Sequence, residues 1–186
     1  MRQEIGNRIV FVLACAGLFV SLVLAIAHSW GAQLPCGAGN DCCNKVADSP
    51  INKATGIPVA YYGVGAYLFL ILASLTRAVL GVGRSQRTGF AMWVIAAVGT
   101  LASIGLTIYS SSELGCFCPW CLASAGIMVV LFLVLAFSMM GAPIDRASHW
   151  SWRVYLSGFL ISAIAGSVYG GYVAQNSRKE TFGKKI

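Results

Sequence analysis

The sequence predicts an all-α integral membrane protein with five transmembrane helices. Of its 186 residues, 58% are hydrophobic and only 10% are charged, whereas a soluble domain carries about 25% charged residues. Five stretches contain no Asp, Glu, Lys or Arg, and each is long enough for the roughly 20 apolar residues that span a bilayer core. We therefore expect the lipid bilayer to surround most of the chain. The predicted helices are Ile9–His28, Ile57–Leu80, Gly89–Ser110, Cys118–Met140 and Trp152–Ala174.

The basic residues predict the orientation of these helices. One side of the membrane receives Arg2, Arg8, Arg77, Arg84, Arg87, Arg146 and Arg153. The other side has only Lys45 and Lys53 in its loops, so the positive-inside rule puts the N-terminus in the cytoplasm. The tail "SRKETFGKKI" holds four basic residues on the predicted outer side and disagrees with this orientation. Topology thus accounts for the net charge of +7, and we expect no nucleic acid partner.

The first span has a basic start like that of a signal peptide. Its apolar stretch is about 20 residues long, whereas the apolar region of a secretory signal has about 7–15. Four further spans follow. We expect it to be a retained membrane helix.

Six of the seven cysteines fall on the predicted outer side or at its membrane boundary. They are Cys36, Cys42, Cys43, Cys116, Cys118 and Cys121. That side is oxidising, so disulfides form and persist there. This cluster of cysteines allows three interpretations: structural disulfides, a zinc site or a redox relay. Zinc sites of cysteine usually pair two Cys-x2–4-Cys segments, and only Cys118–Cys121 has this spacing, so no metal is expected.

The segment "GCFCPWC" favours the relay, because its Cys-x-x-Cys lies where the fourth span begins. Helix N-terminal N–H groups stabilise a thiolate, and Pro119 suits the first helical turn, where its missing N–H is not needed. Cys118 and Cys121 would face water on one side and the apolar bundle on the other. A soluble substrate could not enter that bundle, but a lipid-soluble electron carrier could.

The loop "QLPCGAGNDCCNKVADSP" carries a second set of cysteines. Its glycines make it flexible, so Cys36 and Cys43 can approach each other or separate. Disulfide exchange requires a thiolate to reach another disulfide through a mixed intermediate. Such a loop suits a carrier between an outside partner and a fixed pair at the membrane.

Four ordered features carry a family resemblance. They are the Cys36 and Cys43 pair with "CNKV" followed by Ser49, the "GIPVAYYG" stretch, "CPWC", and their order along four consecutive spans. In these features the chain resembles the vitamin K epoxide reductase family, and its bacterial branch in particular. DsbB-type quinone-linked oxidases do similar chemistry, but their Cys-x-x-Cys lies in the first outer loop, the reverse of the order here.

The resemblance implies a four-helix transmembrane bundle, residues 9–140, around a quinone, with a fifth transmembrane helix at about 152–174. Cys121 would pass electrons to the quinone, which would be ubiquinone or menaquinone. Cys118 would form a mixed disulfide with Cys43, and Cys36 would exchange with the outside partner. The quinone head would lie near Ser49, Tyr61, Tyr62, Trp120 and Cys121.

Two departures from the family pattern refine the predicted activity. Ala125 stands where animal members carry a tyrosine, which favours a plain quinone over vitamin K epoxide. Many bacterial members carry a thioredoxin-like domain after the fifth span. Here we expect residues 1–186 to form a single transmembrane domain without it, so the thiol partner would be a separate periplasmic thioredoxin-like (DsbA-like) protein.

The resulting hypothesis is a quinone-dependent thiol–disulfide oxidoreductase of the bacterial inner membrane that supports disulfide-bond formation. A non-catalytic scaffold or maturation factor with structural disulfides is one alternative, and reduction of quinone or vitamin K epoxide is another. Cys42 and Cys116 have no place in the relay. We expect them to form an additional disulfide.

Overall fold

The computed structural model describes residues 2–32, 43, 45–46, 49, 56–80, 82–113, 115, 117–139 and 152–183. These residues form five long α-helices. The helices are α1 (Arg2–Ser29), α2 (Val59–Leu80), α3 (Val82–Glu113), α4 (Pro119–Met139) and α5 (Trp152–Gly183).

Every helix contains an apolar segment long enough to cross a bilayer. The segments are Ile5–Ser29, Val59–Val79, Arg87–Glu113, Pro119–Ser138 and Arg153–Asn176. The predicted all-α membrane fold is therefore confirmed. The helices extend beyond the predicted spans at three places: α1 begins at Arg2 rather than Ile9, α3 begins at Val82 rather than Gly89, and α5 continues to Gly183 rather than Ala174. A stretch without charged residues predicts only the part of a helix that lies in lipid. The helix itself can continue into water on either side, so it is longer than the predicted span.

The first four helices form a closed bundle. α1 packs against α2 and α4, and α3 packs against the same two helices from the opposite side. The fifth helix lies outside this ring, where it packs mainly against α1 and to a small extent against α2. The predicted arrangement of four helices plus one is what the structure has.

The centre of the bundle is occupied by Tyr67, which reaches across from α2. Its hydroxyl donates a hydrogen bond to the Ser124 carbonyl on α4 and lies 3.0 Å from the Ser124 hydroxyl. The ring passes so close to α1 that a Cβ at Gly17 would lie 2.1 Å from a ring carbon. Glycine at position 17 is therefore what lets this ring lie between α1 and α4.

Small residues also set the contact between α5 and α1. A Cβ at Gly166 would lie 3.3 Å from the Phe19 carbonyl oxygen, and one at Gly170 would lie 3.1 Å from the Ile26 Cβ. Such glycines let two membrane helices approach closely, where dispersion contacts rather than the hydrophobic effect hold them together. The Ser162 hydroxyl adds a hydrogen bond of 2.5 Å to the Cys15 carbonyl.

The two ends of the bundle differ in chemistry. At the end where α1 begins, the buried Asn7 amide donates to the Ser74 carbonyl at 3.0 Å, and the Ser74 hydroxyl lies 3.1 Å from the Asn7 side-chain oxygen. At the opposite end, where α1 ends and α4 begins, Cys43 and Cys118 lie buried. Among the described residues, the cysteines of the predicted relay thus occupy one end of the bundle.

Candidate functional site

Cys118 is the N-cap residue of α4. Its carbonyl accepts the first helical hydrogen bond, from the Leu122 N–H at 3.0 Å. Its sulfur accepts a hydrogen bond from the Cys121 N–H at 3.3 Å, as the oxygen of a capping serine or aspartate does. Gly115, with a φ of 61°, turns the chain into this position by adopting a backbone conformation that favours glycine.

This setting makes Cys118 an acidic thiol. The pKa of Cys118 is lowered from 9.0 to about 7, chiefly because the Cys121 thiol donates a hydrogen bond to its sulfur. The backbone N–H groups of Cys121 and Trp120 act in the same direction, while burial opposes them. The thiolate is the attacking form in disulfide exchange, so Cys118 is available as a nucleophile near neutral pH.

The Cys43 sulfur lies 3.2 Å from the Cys118 sulfur. Cys43 is disulfide-bonded, whereas Cys118 and Cys121 are thiols. A thiol capable of attack is thus next to a sulfur of a disulfide, the arrangement that exchange requires. The structure brings Cys43 and Cys118 together, and the mixed disulfide between them stays a prediction. Three of the predicted cysteines lie outside the described residues: Cys36, Cys42 and Cys116. The disulfide expected between Cys42 and Cys116 therefore stays a prediction.

The two sulfurs are enclosed in an apolar shell that we call the thiol cluster. Cys43 is 2% exposed and Cys118 is 3% exposed. The buried members of the cluster are Val23, Ala27, Ala32, Cys43, Cys118, Val173 and Ala174, and its half-buried members are Phe19, Leu24, Val46, Trp120 and Cys121. The cluster combines the end of α1, the start of α4 and the outer part of α5, so water has little access to the reacting atoms.

The indole of Trp120 lies in a row of three aromatic rings. The Tyr169 ring on α5 is 6.4 Å from Trp120 on α4 and 6.0 Å from Phe19 on α1, measured between ring centroids. We did not predict Tyr169 from the sequence, because an aromatic residue on a membrane helix is equally compatible with a lipid-facing position. Only the approach of α5 to α1 brings it to the site.

Ser49 makes a hydrogen bond within the segment that follows Cys43 in the chain. Its side chain is 4% exposed, and its hydroxyl donates to the Val46 carbonyl at 2.7 Å. Val46 in turn packs against the thiol cluster. This hydrogen bond gives Ser49 a place in the local fold, and its contact with a quinone stays a prediction.

Tyr61 and Tyr62 lie on the first turn of α2, and both side chains are exposed. The Tyr61 hydroxyl hydrogen-bonds with the hydroxyl of Ser29 at the end of α1. They are at the same end of the bundle as the cysteines, but the described contacts do not bring them to Trp120 or Cys121. Their assignment to a quinone site also stays a prediction.

Tyr67 and Ser124 are polar groups near the site that we did not predict. Ser124 follows Cys121 by three residues, so both lie on one face of α4, about 4.5 Å apart along its axis. The paired hydroxyls therefore lie about one helical turn deeper in the bundle than Cys121. The only sequence feature that could have indicated this hydroxyl pair is the three-residue spacing between Cys121 and Ser124.

One comparison with known proteins found a match. The model of the vitamin K epoxide reductase family matches residues 8–136, more than half of the chain. The chain belongs to the vitamin K epoxide reductase family. Neither a curated protein nor a solved structure matches it.

Membership of the vitamin K epoxide reductase family agrees with the structure. The family consists of membrane oxidoreductases, and this chain has five helices able to cross a membrane with thiols and a disulfide at one end of the bundle. The matched residues run from Arg8 in α1 to Ala136 in α4. Helix α5 lies outside the matched range, although it contributes to the thiol cluster.

Proposed function

We propose that the protein accepts two electrons from a thiol partner outside the cytoplasm and passes them through two cysteine pairs to a quinone. The observation that carries the proposal is the 3.2 Å separation between the sulfurs of Cys43 and Cys118. The low pKa of Cys118 supports it, because a thiolate is a good leaving group as well as a good nucleophile.

The first transfer starts from a reduced loop and a Cys118–Cys121 disulfide. The Cys43 thiolate attacks the Cys118 sulfur, the Cys118–Cys121 bond breaks, and Cys121 leaves as a thiolate. The Cys36 thiolate then attacks Cys43 and releases Cys118. Two electrons have moved from the loop to the Cys-x-x-Cys, and the loop now holds a disulfide.

In the proposed relay, the state after this transfer has Cys43 in a disulfide and both members of the Cys-x-x-Cys as thiols, and the bonded Cys43 beside the thiols of Cys118 and Cys121 is compatible with it. Oxidation of the Cys118 and Cys121 thiols back to a disulfide would deliver two electrons and two protons to a bound quinone, which would leave as a quinol. Cys121 is the member of the pair on the bundle side and is the residue we assign to this step.

The residues around Cys121 fit a lipid-soluble carrier with a flat ring and carbonyl oxygens. Trp120 offers an aromatic surface beside the thiols, and the surrounding cluster is apolar. The Tyr67 and Ser124 hydroxyls offer hydrogen bonds deeper in the bundle. Ser49, Tyr61 and Tyr62 remain our candidates for the rim of the site, and ubiquinone and menaquinone both fit this description.

The outside partner is proposed to be a separate thioredoxin-like, DsbA-like protein that exchanges with Cys36. The distribution of basic residues supports a cytoplasmic N-terminus in a bacterial inner membrane and a periplasmic thiol cluster. Oxidation of the partner would support disulfide formation in exported proteins.

One alternative uses the same geometry in reverse. Because Cys118 is a thiol beside the disulfide of Cys43, it is also placed to attack Cys43 and send electrons outward. The other alternative is a scaffold with structural disulfides, and the contact between the Cys118 thiol and the sulfur of the bonded Cys43 favours disulfide exchange over it.

Trapping the mixed disulfide tests the proposed relay. In Cys36→Ala the thiol that resolves the intermediate is missing, so we expect a Cys43–Cys118 disulfide to accumulate when the protein is oxidised. Mass mapping after acid quenching and alkylation identifies the bonded pair, and Cys15→Ala, a change on α1 away from the thiol cluster, is the matched control. A disulfide from Cys43 to a residue other than Cys118 would contradict the proposed order.

A further inference from the structure

We infer that α5 is part of the redox site, and that Tyr169 is a positioning residue that holds the Trp120 indole against the thiol cluster. The inference deepens the proposed function and rests on it for the meaning of turnover. Its structural basis is the row of rings that joins α1, α5 and α4 through Phe19, Tyr169 and Trp120.

The outer part of α5 also encloses the reacting sulfurs. Val173 and Ala174 are buried in the thiol cluster together with Cys43 and Cys118. Val173 follows Tyr169 by one helical turn, so both lie on the same face of α5. A single face of this helix therefore contacts the Trp120 ring and helps to bury the sulfurs.

The approach of α5 is fixed by its own sequence. Gly166 and Gly170 flank Tyr169 and let the helix lie directly against α1. A bulkier helix surface would hold the Tyr169 ring away from Phe19 and Trp120. The glycines thus keep α5 close enough for Val173 and Ala174 to form an apolar wall beside Cys118, and the partly exposed Tyr169 ring meets Trp120 at the edge of this wall.

Two consequences follow for the chemistry. The wall limits the access of water and polar reagents to Cys118. It also restricts the movement of Trp120, whose backbone N–H is one of the groups that stabilise the Cys118 thiolate. Loss of the Tyr169 ring is therefore expected to make Cys118 more accessible and the transfer between Cys43 and Cys118 less efficient.

The test compares three variants with wild type in the thiol state, at a pH well above the pKa of Cys118. Tyr169→Ala removes the ring, Tyr169→Phe keeps it, and Tyr172→Ala changes a neighbouring side chain that is 64% exposed. The readouts are the rate at which a charged thiol reagent alkylates Cys118, followed by mass spectrometry, and quinone reduction.

We expect Tyr169→Ala to raise the alkylation rate by roughly two- to tenfold, the range that corresponds to the loss of the aromatic pair with Trp120, and to slow quinone reduction. Tyr169→Phe should behave as wild type because the ring makes the contact, and Tyr172→Ala should change neither readout. Equal alkylation rates in Tyr169→Ala and Tyr172→Ala would overturn the inference.

A further variant and the choice of readout cover the cases in which Tyr169→Ala does not fold or wild type does not turn over. If Tyr169→Ala does not fold, Tyr169→Leu keeps apolar volume without the ring, and wild-type alkylation in that variant would equally overturn the inference. Alkylation does not require turnover. Failure of wild type to reduce a quinone would thus count against the proposed function while the role of α5 is still decided by the alkylation rates.

Discussion

At the scale of single residues, Cys118 combines a structural role with a chemical one. Its carbonyl and sulfur both accept hydrogen bonds from the first turn of α4, so the side chain caps the helix. The backbone N–H groups of Cys121 and Trp120 stabilise the thiolate, because they present partial positive charge to it. The capping position therefore explains why this cysteine, and not Cys15 in the middle of α1, is suited to disulfide exchange.

The first prediction concerns the pH dependence of Cys118. Only the thiolate reacts with iodoacetamide, so its alkylation rate should be low at acidic pH, rise through about pH 7 and then level off. Cys121→Ala removes the strongest stabilising hydrogen bond, and the midpoint should move up toward 9.0, the ordinary value. Cys121→Ser keeps a donor and should show a smaller shift. An unchanged midpoint in Cys121→Ala would show that the thiol of Cys121 does not stabilise Cys118.

The second prediction separates capping from redox chemistry at the same position. Cys118→Ser keeps a good N-cap residue, whereas Cys118→Ala loses one and should destabilise the protein by about 1 kcal/mol. Both variants should lose thiol oxidation. Thermal unfolding in detergent and a donor-oxidation assay measure the two effects. If Cys118→Ser unfolded as early as Cys118→Ala, the sulfur would have a structural role that this interpretation does not include.

At the scale of helices, the bundle depends on a few close approaches that only small residues permit. Tyr67 crosses the interior because Gly17 leaves space for its ring, and α5 reaches α1 because Gly166 and Gly170 do the same. These contacts decide where the aromatic rings lie relative to Cys121 and Trp120. Helix packing thereby shapes the surroundings of the thiols.

The third prediction tests the contact between α1 and α2. Gly17→Ala would bring a Cβ to 2.1 Å from the Tyr67 ring, and such overpacking should destabilise the protein by about 1–3 kcal/mol. Gly65→Ala is the matched control, because a Cβ there meets nothing within 4 Å, and it should not lower stability. Unfolding in a detergent of fixed composition gives the comparison. Equal stability of the two variants would mean that Tyr67 does not lie against α1.

At the scale of the whole molecule, hydropathy and charge predicted the membrane fold, and motif order predicted the family. The position of Pro119 at a helix start predicted where Cys118 would lie. The contributions of Tyr67 and Tyr169 could not be predicted in this way. Lipid and protein neighbours are both apolar, so the composition of a membrane helix does not reveal which face meets which.

The whole bundle is organised so that one end holds a reactive thiol beside a disulfide while an apolar interior lies behind it. Such an arrangement separates the water-soluble donor from the lipid-soluble acceptor. In the proposed relay the donor would meet the loop, the acceptor would meet the Cys-x-x-Cys, and electrons would pass between them only through the sulfurs of Cys43 and Cys118. This separation is the central claim of the proposed function.

Quinone reduction by the purified protein, with a reduced thioredoxin-like protein as electron donor, tests that claim most directly. Wild type and Cys15→Ala should both turn over, while Cys43→Ala and Cys121→Ala should stay folded, as judged by thermal unfolding, and lose turnover. Failure of wild type with several donors and with both ubiquinone and menaquinone, together with cysteine variants that unfold, would contradict the relay and favour a scaffold with structural disulfides.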